Sequence, residues 1–198
     1  KAALLEAVGA SLVDYLAFRA ESDRFLETHF STLCNQSCYR SQLSACCSKD
    51  GIITFFADTV VNALCASPGQ LDQMETVLRR ANRGHRCIYL AADGCIWTIR
   101  PVVCAMFLCD RAMDAAFAAD SRARRVWEDL RRHEKTFKWP DRPVLFDSLE
   151  KAFLDMGYRS SLMHLMLLAQ DMIPERVDYL HGASYQIVPL LLIPRIFY

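Results

Sequence analysis

Cysteine is the residue whose number and spacing could do chemistry in this chain. The 198 residues include nine cysteines, all between positions 34 and 109. Thiolates are soft ligands that bind Zn²⁺ tetrahedrally or hold Fe–S clusters. The pattern predicts a metal centre that ties two segments together, with buried structural thiols as the alternative. Seven of the cysteines form two groups, with the spacings Cys34-x3-Cys38-x7-Cys46-Cys47 and Cys87-x7-Cys95-x8-Cys104.

The surroundings of the cysteines favour reduced thiols over disulfides. An odd number of cysteines fits a framework of paired disulfides poorly. The first residues carry Glu6 and Asp14 in place of the unbroken apolar core of a signal peptide, so we expect a cytoplasmic protein. Cysteine groups in the cytosol indicate metal ligands or redox centres. No run of about 18 apolar residues occurs, so no membrane partner is expected.

Composition and charge exclude several classes of protein. The hydrophobic share is 53%, and 23 basic residues balance 23 acidic ones, which is typical of a globular chain rather than a disordered one. A globally basic nucleic-acid binder is not expected. The arginine-rich stretch 122–138 is interrupted by Asp and Glu residues at helical spacing, which indicates a solvated helix face.

The elements that must position the cysteines are helices. Apolar periodicity predicts a mainly α fold with few or no strands, in one domain over 1–198. A cysteine-cluster core covers 30–110, and a helical extension with an apolar tail covers 111–198. The first cysteine group falls in an irregular segment, 31–51, and Cys87 and Cys95 of the second group fall in another, 82–103. Helices are predicted over 2–30, 58–66, 70–81, 101–113, 113–137, 147–157 and 160–170, with an extended tail over 185–198 that docks on the body or faces a partner.

The second cysteine group carries a resemblance to a known family. From Arg86 to Cys104 the chain contains C-I-Y-L, then G-C-I-W, then R-P-V-V-C, in that order. This segment resembles the cysteine-cluster family, also described as the CxxCxxCC or zinc- or iron-chelating domain, which includes flagellin lysine-N-methylase-like proteins. The resemblance covers residues 30–110, and the gaps of the first group are longer than those of the family. It implies a metal held by Cys34, Cys38, Cys46, Cys47, Cys87, Cys95 and Cys104.

Position along the chain separates the expected ligands from the other cysteines. Adjacent side chains point in different directions, so Cys46 and Cys47 are not expected to bind one metal in the same way. One of them would ligate while the other packs or serves a second metal. Cys109 follows Cys104 by five residues on one predicted helix, about 140° around it, and is expected in the core. Cys65 lies on an apolar helix and is expected there too.

Other chemistry-bearing residues give weaker signals. His29 and His85 are expected to be solvated. Arg100 either offsets the negative charge of a thiolate site or lies in solvent. No glycine-rich S-adenosylmethionine loop, Ser-His-Asp arrangement or paired-carboxylate motif is present. A methionine-rich stretch with a histidine is expected to fill the core; it contains Met163, His164, Met166 and Met172.

Together these features predict a metal-binding protein that holds Zn²⁺ or an Fe–S cluster. The resemblance implies protein lysine N-methylation, with a protein substrate and S-adenosylmethionine as cofactor, although no motif for that cofactor is present. Two alternatives stay open. One is a non-enzymatic interaction module whose metal only holds the fold, and the other is an Fe–S redox protein. Whether the chain is an enzyme is therefore an open question at this point.

Overall fold

The computed structural model describes residues 2–41, 46–48, 54–80, 84–91, 94–118, 120–137, 145–160 and 163. Within these residues the chain is mostly helical with one short antiparallel hairpin, which confirms the mainly α prediction. None of the described helices is both long enough and apolar enough to span a membrane. The helices are α1 Ala2–Ser11, α2 Val13–Leu33, a π-helical turn Cys34–Tyr39, α3 Phe56–Cys65, α4 Pro68–Leu78, α5 Val102–Ala105, α6 Asp110–Phe117, α7 Ser121–Lys135 and α8 Leu145–Asp155; the strands are β1 Leu90–Ala91 and β2 Gly94–Cys95.

Helix α2 is the centre of the larger hydrophobic core. Its Tyr15 and Phe18 side chains are almost completely buried. The ring of Phe137 lies 5.3 Å from each of them, in an edge-on contact with Tyr15 and a stacked one with Phe18. Further along α2, Phe25 stacks on Trp127 of α7 at 5.8 Å. Helix α2 therefore shares one core with Trp127 and Phe137, and the rings pack in geometries that aromatic pairs prefer.

A smaller core lies under the hairpin. It consists of the buried side chains of Met74 on α4, Tyr89 before β1 and Trp97 after β2. The rings of Tyr89 and Trp97 meet edge-on at 5.4 Å. Cys87 and Cys95 are partly buried against this core. The second cysteine group thus sits on its own small apolar base.

Several helix boundaries differ from the predictions because side chains or bends interrupt the backbone hydrogen bonds of the helix. The predicted helix over 2–30 is two helices that meet at the buried Leu12. The predicted helix over 101–113 ends at Ala105, and Arg131 Nη1 donates to the carbonyl of the buried Met106 at 2.7 Å. The predicted helix over 113–137 is broken before α7 by Asp120, whose carboxylate accepts from two backbone N–H groups of the next turn.

The end of α8 follows the prediction. Gly157 has φ +86°, the left-handed conformation in which glycine is favoured. Its N–H donates to the Leu154 carbonyl at 2.9 Å, and the N–H of Tyr158 donates to the Phe153 carbonyl at 3.1 Å. This pair of bonds closes a helix end that glycine alone accepts without strain. Apart from Ser160 and Met163, the predicted helix over 160–170 lies outside the described residues, as does the tail over 185–198.

Candidate metal centre

Helix α3 holds the segment that leads to Cys104. Asp58 is buried, with its Oδ2 accepting from the Phe55 N–H at 2.9 Å and its Oδ1 accepting from the Val102 N–H at 2.9 Å. One turn further on, Asn62 Oδ1 accepts from the Ile99 N–H at 3.1 Å. Asp58 was expected at the start of this helix; it occupies the third position and reaches back to the N-cap. Two polar side chains of α3 therefore fix the backbone that precedes α5.

Backbone contacts join the two cysteine groups. The N–H of Cys87 donates to the carbonyl of Cys47 at 2.7 Å. Next to this bond, Ser48 and Arg86 form an isolated antiparallel bridge. In the hairpin, Leu90 lies opposite Cys95. The backbone at Cys47 and Ser48 therefore pairs with the backbone at Arg86 and Cys87.

Four thiols from these segments lie within electrostatic range of Cys87 or are Cys87 itself, and we name them the hairpin cluster: Cys47, Cys87, Cys95 and Cys104. Negative charge on any of the other three raises the pKa of Cys87, so the sulfurs lie within electrostatic range of one another. Charge on Cys47 also raises the pKa of Cys95. Cys47 is exposed and the other three are partly buried, so the cluster opens to solvent on the Cys47 side.

Opposing effects set the protonation of the hairpin cluster. Burial is the largest effect, and together with the neighbouring thiols it raises the pKa of Cys87 to about 12. Burial likewise raises the pKa of Cys95. The backbone N–H groups of Tyr89 and Trp97 donate to the sulfurs of Cys87 and Cys95, and these bonds favour the thiolates. Cys87 and Cys95 are thus protonated at neutral pH, while backbone donors are already directed at their sulfurs.

Arg100 adds a positive charge next to this cluster. Its guanidinium lowers the pKa of Cys95, and its Nη2 donates to Asp23 Oδ1 at 3.0 Å. The Arg100 carbonyl accepts from Arg19 Nη1 at 2.6 Å, and the same nitrogen donates to the Tyr15 hydroxyl at 3.2 Å. The Arg100 guanidinium therefore lies within electrostatic range of Cys95, and buried α2 side chains hold its backbone in place. Its role of offsetting thiolate charge stays a prediction.

The remaining cysteines of the first group lie elsewhere. The sulfur of Cys46 accepts from the backbone N–H of Cys109 and shares a hydrogen bond with the Cys109 thiol. Charge on Cys34 also acts on Cys46. We name these three residues the α6 cluster, because Cys109 is the N-cap of α6. Cys34 and Cys38 were expected in an irregular loop, but their backbone continues α2 as the π-helical turn, and the Cys38 side chain lies outside the described part.

Cys46 and Cys47 lie within electrostatic range of different thiols, and that they do not bind one metal in the same way stays a prediction. Cys47 contributes to the hairpin cluster and Cys46 to the α6 cluster. The prediction that Cys104 and Cys109 share a helix is wrong, because the chain leaves helical geometry after Ala105 and Cys109 is extended, with ψ 152°. Cys109 does pack against the larger core. Its thiol contact with Cys46 was missed, since no local pattern encodes an encounter 63 residues along the chain.

The thiols of each cluster are near one another, but they are not arranged as the ligands of a metal ion. Among the described residues, no three His, Cys, Asp or Glu side chains converge closely enough to hold a metal ion. No disulfide joins any of the cysteines whose side chains are described. Metal binding at the hairpin cluster would therefore require the sulfurs to lose protons and move together, which couples binding to local folding.

Neither cluster, as defined by its thiols, includes the other residues with possible chemistry. His29 packs on the Phe25 ring at 4.6 Å, and His85 is exposed on the loop before Cys87. Cys65 is partly buried against the larger core, in agreement with its prediction. Met163 is fully buried, whereas His164, Met166 and Met172 lie outside the described residues.

The predicted solvated face of α7 is exposed in the structure. Arg132 pairs with Asp129, and Arg131 lies 3.5 Å from the buried Glu134 carboxylate. Both pairs have i,i+3 spacing. The Arg132–Asp129 pair lies on the surface, where an ion pair contributes little to stability, whereas the Glu134 carboxylate is buried beneath the exposed face. The two pairs also reduce the net positive charge that a nucleic acid would meet on this helix.

The raised pKa of Cys87 predicts slow alkylation of the metal-free protein. At pH 8 a thiol with a pKa of about 12 is far less ionised than an ordinary one, so iodoacetamide should modify native Cys87 about a thousandfold more slowly than in denaturant. The native rate should rise about tenfold per pH unit between pH 9 and 12. Over the same range the free energy of unfolding should fall, because the unfolded chain loses this proton first. Equal native and denatured rates, measured by mass spectrometry, would contradict the assignment.

Comparison with known proteins adds no relative. The chain matches no protein-family model, no curated protein and no solved structure. The geometry of the two thiol clusters is therefore the basis on which a function can be assigned to the chain.

Proposed function

We propose that this chain is a metal-binding protein whose hairpin cluster holds Zn²⁺ or an Fe–S cluster. The observation that carries the proposal is that thiols from three separate segments of the chain lie within electrostatic range of Cys87. Four thiolates are the ligand set that both kinds of centre accept. The metal would supply a fixed positive charge that replaces the thiol protons and closes the cluster.

The backbone around the cluster supports thiolate ligands. Two N–H groups donate to sulfurs in a repeated arrangement, each from the residue two positions after the cysteine. Hydrogen bonds to thiolate sulfur stabilise its charge and tune the metal that it holds. Arg100 reduces the repulsion further.

The small size of the hairpin core is a second reason for a metal. Among the residues that the structure describes, its buried side chains are Met74, Tyr89 and Trp97. A core this small stabilises a segment weakly, and structural metals are a common remedy. A metal at the hairpin cluster would join the Cys47 segment, the hairpin and α5, and would fix Cys104 relative to Cys87. The proposal therefore gives the centre at least a structural role.

Cobalt(II) titration of the reduced protein under anaerobic conditions tests this proposal. Bound Co²⁺ should show sulfur-to-metal charge-transfer absorption together with the visible bands of tetrahedral coordination. The Cys95→Ser variant should weaken the charge-transfer band, and Cys65→Ser, a matched change outside both clusters, should leave it unchanged. Co²⁺ that binds without sulfur charge transfer would contradict the proposal.

The activity served by the centre is a separate part of the proposal. The resemblance of the second cysteine group implies protein lysine N-methylation, and S-adenosylmethionine would then bind the metal-loaded protein. Isothermal calorimetry measures this directly. Heat of binding would favour the methyltransferase, and no binding to the metal-replete protein under anaerobic conditions would leave the centre with a structural or redox role.

A further inference from the structure

We propose that the groove between α6 and α7 binds a short acidic segment of a partner protein, anchored by apolar side chains. None of the described side chains that line this groove is a cysteine, so the site is separate from the metal centre. The groove has a volume of about 430 Å³, which falls within the range of ligand pockets in proteins. It therefore has room for a few side chains of a partner.

Helical spacing places the lining side chains on facing sides of the two helices. Helix α6 contributes Met113 and Phe117, one turn apart. Helix α7 contributes side chains at the spacing i, i+3, i+4, i+7 and i+8, from Arg124 to Arg132. Side chains with this spacing share one face of a helix. That face is about 12 Å long, which is the length of about four residues of an extended peptide.

The floor of the groove is apolar and aromatic. Phe117 and Trp127 are buried members of the larger hydrophobic core, so the core holds their rings in place from behind. Met113 is partly buried against the same core. Aromatic side chains and methionine are enriched where proteins bind one another. The floor can therefore receive an aromatic or aliphatic anchor.

An exposed aromatic side chain lies near one end of the groove. Phe107 is 53% exposed. It directly follows Met106, whose carbonyl accepts from Arg131 Nη1 at 2.7 Å, and Arg131 lines the groove. Exposed apolar surface bordered by polar groups is typical of interaction sites. Phe107 thus offers a partner a further apolar contact.

The rim of the groove is positively charged. Three arginines on the exposed face of α7 line it, together with one acidic residue, Glu128. Arg131 and Arg132 have ion-pair partners on α7. Within the described part of the chain, the Arg124 guanidinium has no ion-pair partner and lies over the Phe117 ring, 5.4 Å from its centre. A guanidinium held on an aromatic ring is well placed to bind a carboxylate through two parallel hydrogen bonds.

Charge and shape together favour an acidic peptide as the occupant. Alternate side chains of an extended peptide point to opposite sides, so apolar anchors can contact the floor while carboxylates pair with the arginines of the rim. Groups of arginines commonly recognise acidic motifs. Glu128 disfavours a nucleic acid, because the phosphate backbone presents an unbroken row of negative charge. A peptide also brings N–H groups, which can donate to the Glu128 carboxylate.

Fluorescence anisotropy with the full chain and labelled acetyl-Glu-Phe-Glu-Leu-Glu-amide tests the site. We expect saturable binding that weakens as the salt concentration rises, and about tenfold weaker binding by Arg124→Glu. Arg125→Glu is the matched control, because Arg125 is exposed on the same helix and does not line the groove. Its affinity should stay within about twofold of the wild type. Equal weakening in the two variants would show that only the general charge of α7 acts, and would overturn the site.

Other ligands and one further variant distinguish the other possible occupants. The peptide acetyl-Glu-Ser-Glu-Ser-Glu-amide lacks the anchors and should bind about tenfold more weakly or worse; equal binding of the two peptides would overturn the apolar floor. An oligothymidylate of equal charge that binds as tightly as the first peptide would assign the groove to nucleic acid and overturn the proposal.

The chain's own acidic stretch, which contains Asp171, Glu175 and Asp178, is a further possible occupant. If the wild type binds no peptide and the triple variant Asp171→Ser, Glu175→Ser, Asp178→Ser binds it, this stretch is the occupant and the partner is excluded. Absence of binding in both proteins would overturn the site as well. Binding by the wild type that the triple variant leaves unchanged supports the partner.

Discussion

The Cys87→Ser variant is expected to lose the metal of the hairpin cluster and much of the stability of the protein. Serine cannot replace a thiolate ligand. Cys87 is also the thiol whose pKa responds to charge on each of the other three. Because ligation is coupled to folding, we expect the free energy of unfolding of the metal-loaded protein to fall by about 4 kcal/mol or more. Chemical denaturation and metal analysis of the same samples measure both effects.

Cys65→Ser is the matched control for this substitution. Cys65 is partly buried against the larger core and belongs to neither cluster. It should keep all of the metal and lose about 1 kcal/mol, as expected for a polar change at a partly buried position. A Cys87→Ser protein with full metal content would show that the ligand assignment is wrong. Equal losses of stability in the two variants would show that Cys87 only packs.

The Asp58→Ala variant is expected to destabilise the protein by about 3 kcal/mol. The substitution leaves the N–H groups of Phe55 and Val102 without their acceptor in a buried place, and each unsatisfied donor costs about 1–3 kcal/mol. The Val102 bond crosses from α3 to α5, which carries Cys104. We therefore expect weaker metal binding as well, measured by competition with a chelator.

Asp120→Ala separates this effect from the general loss of a helix cap. Asp120 also accepts from two backbone N–H groups, those of Arg122 and Ala123, but it is solvated and caps α7 rather than α3 or α5. Its replacement should cost less stability and leave the metal affinity unchanged. If both variants weaken metal binding equally, Asp58 does not position Cys104.

Local signals in the sequence predicted the helical part of the fold well. Gly157 ends α8 because a left-handed residue is needed there, and Pro101 comes directly before α5. Apolar periodicity predicted the burial of Phe18 and Phe25 on α2. These features depend on residues within one or two turns of each other, which is the range over which propensity and capping act.

The arrangement of the cysteines could be predicted only in part. Spacing alone suggested that Cys46 and Cys47 diverge, since adjacent side chains rarely point the same way. It could not show that Cys109 meets Cys46, because that contact depends on the break after α5. The break in turn depends on contacts between distant segments, such as the Arg131 bond to the Met106 carbonyl. Tertiary contacts of this kind have no local signature.

Metal analysis combined with a visible absorption spectrum of the anaerobically purified and reconstituted protein tests the central claim most directly. The account predicts bound metal in one of two forms. Iron with inorganic sulfide and a brown colour would identify an Fe–S centre, and one or two colourless Zn²⁺ per chain would identify zinc sites. A folded protein that takes up neither zinc nor iron with sulfide, and whose cysteines stay equally reactive in the presence and absence of metal, would contradict it.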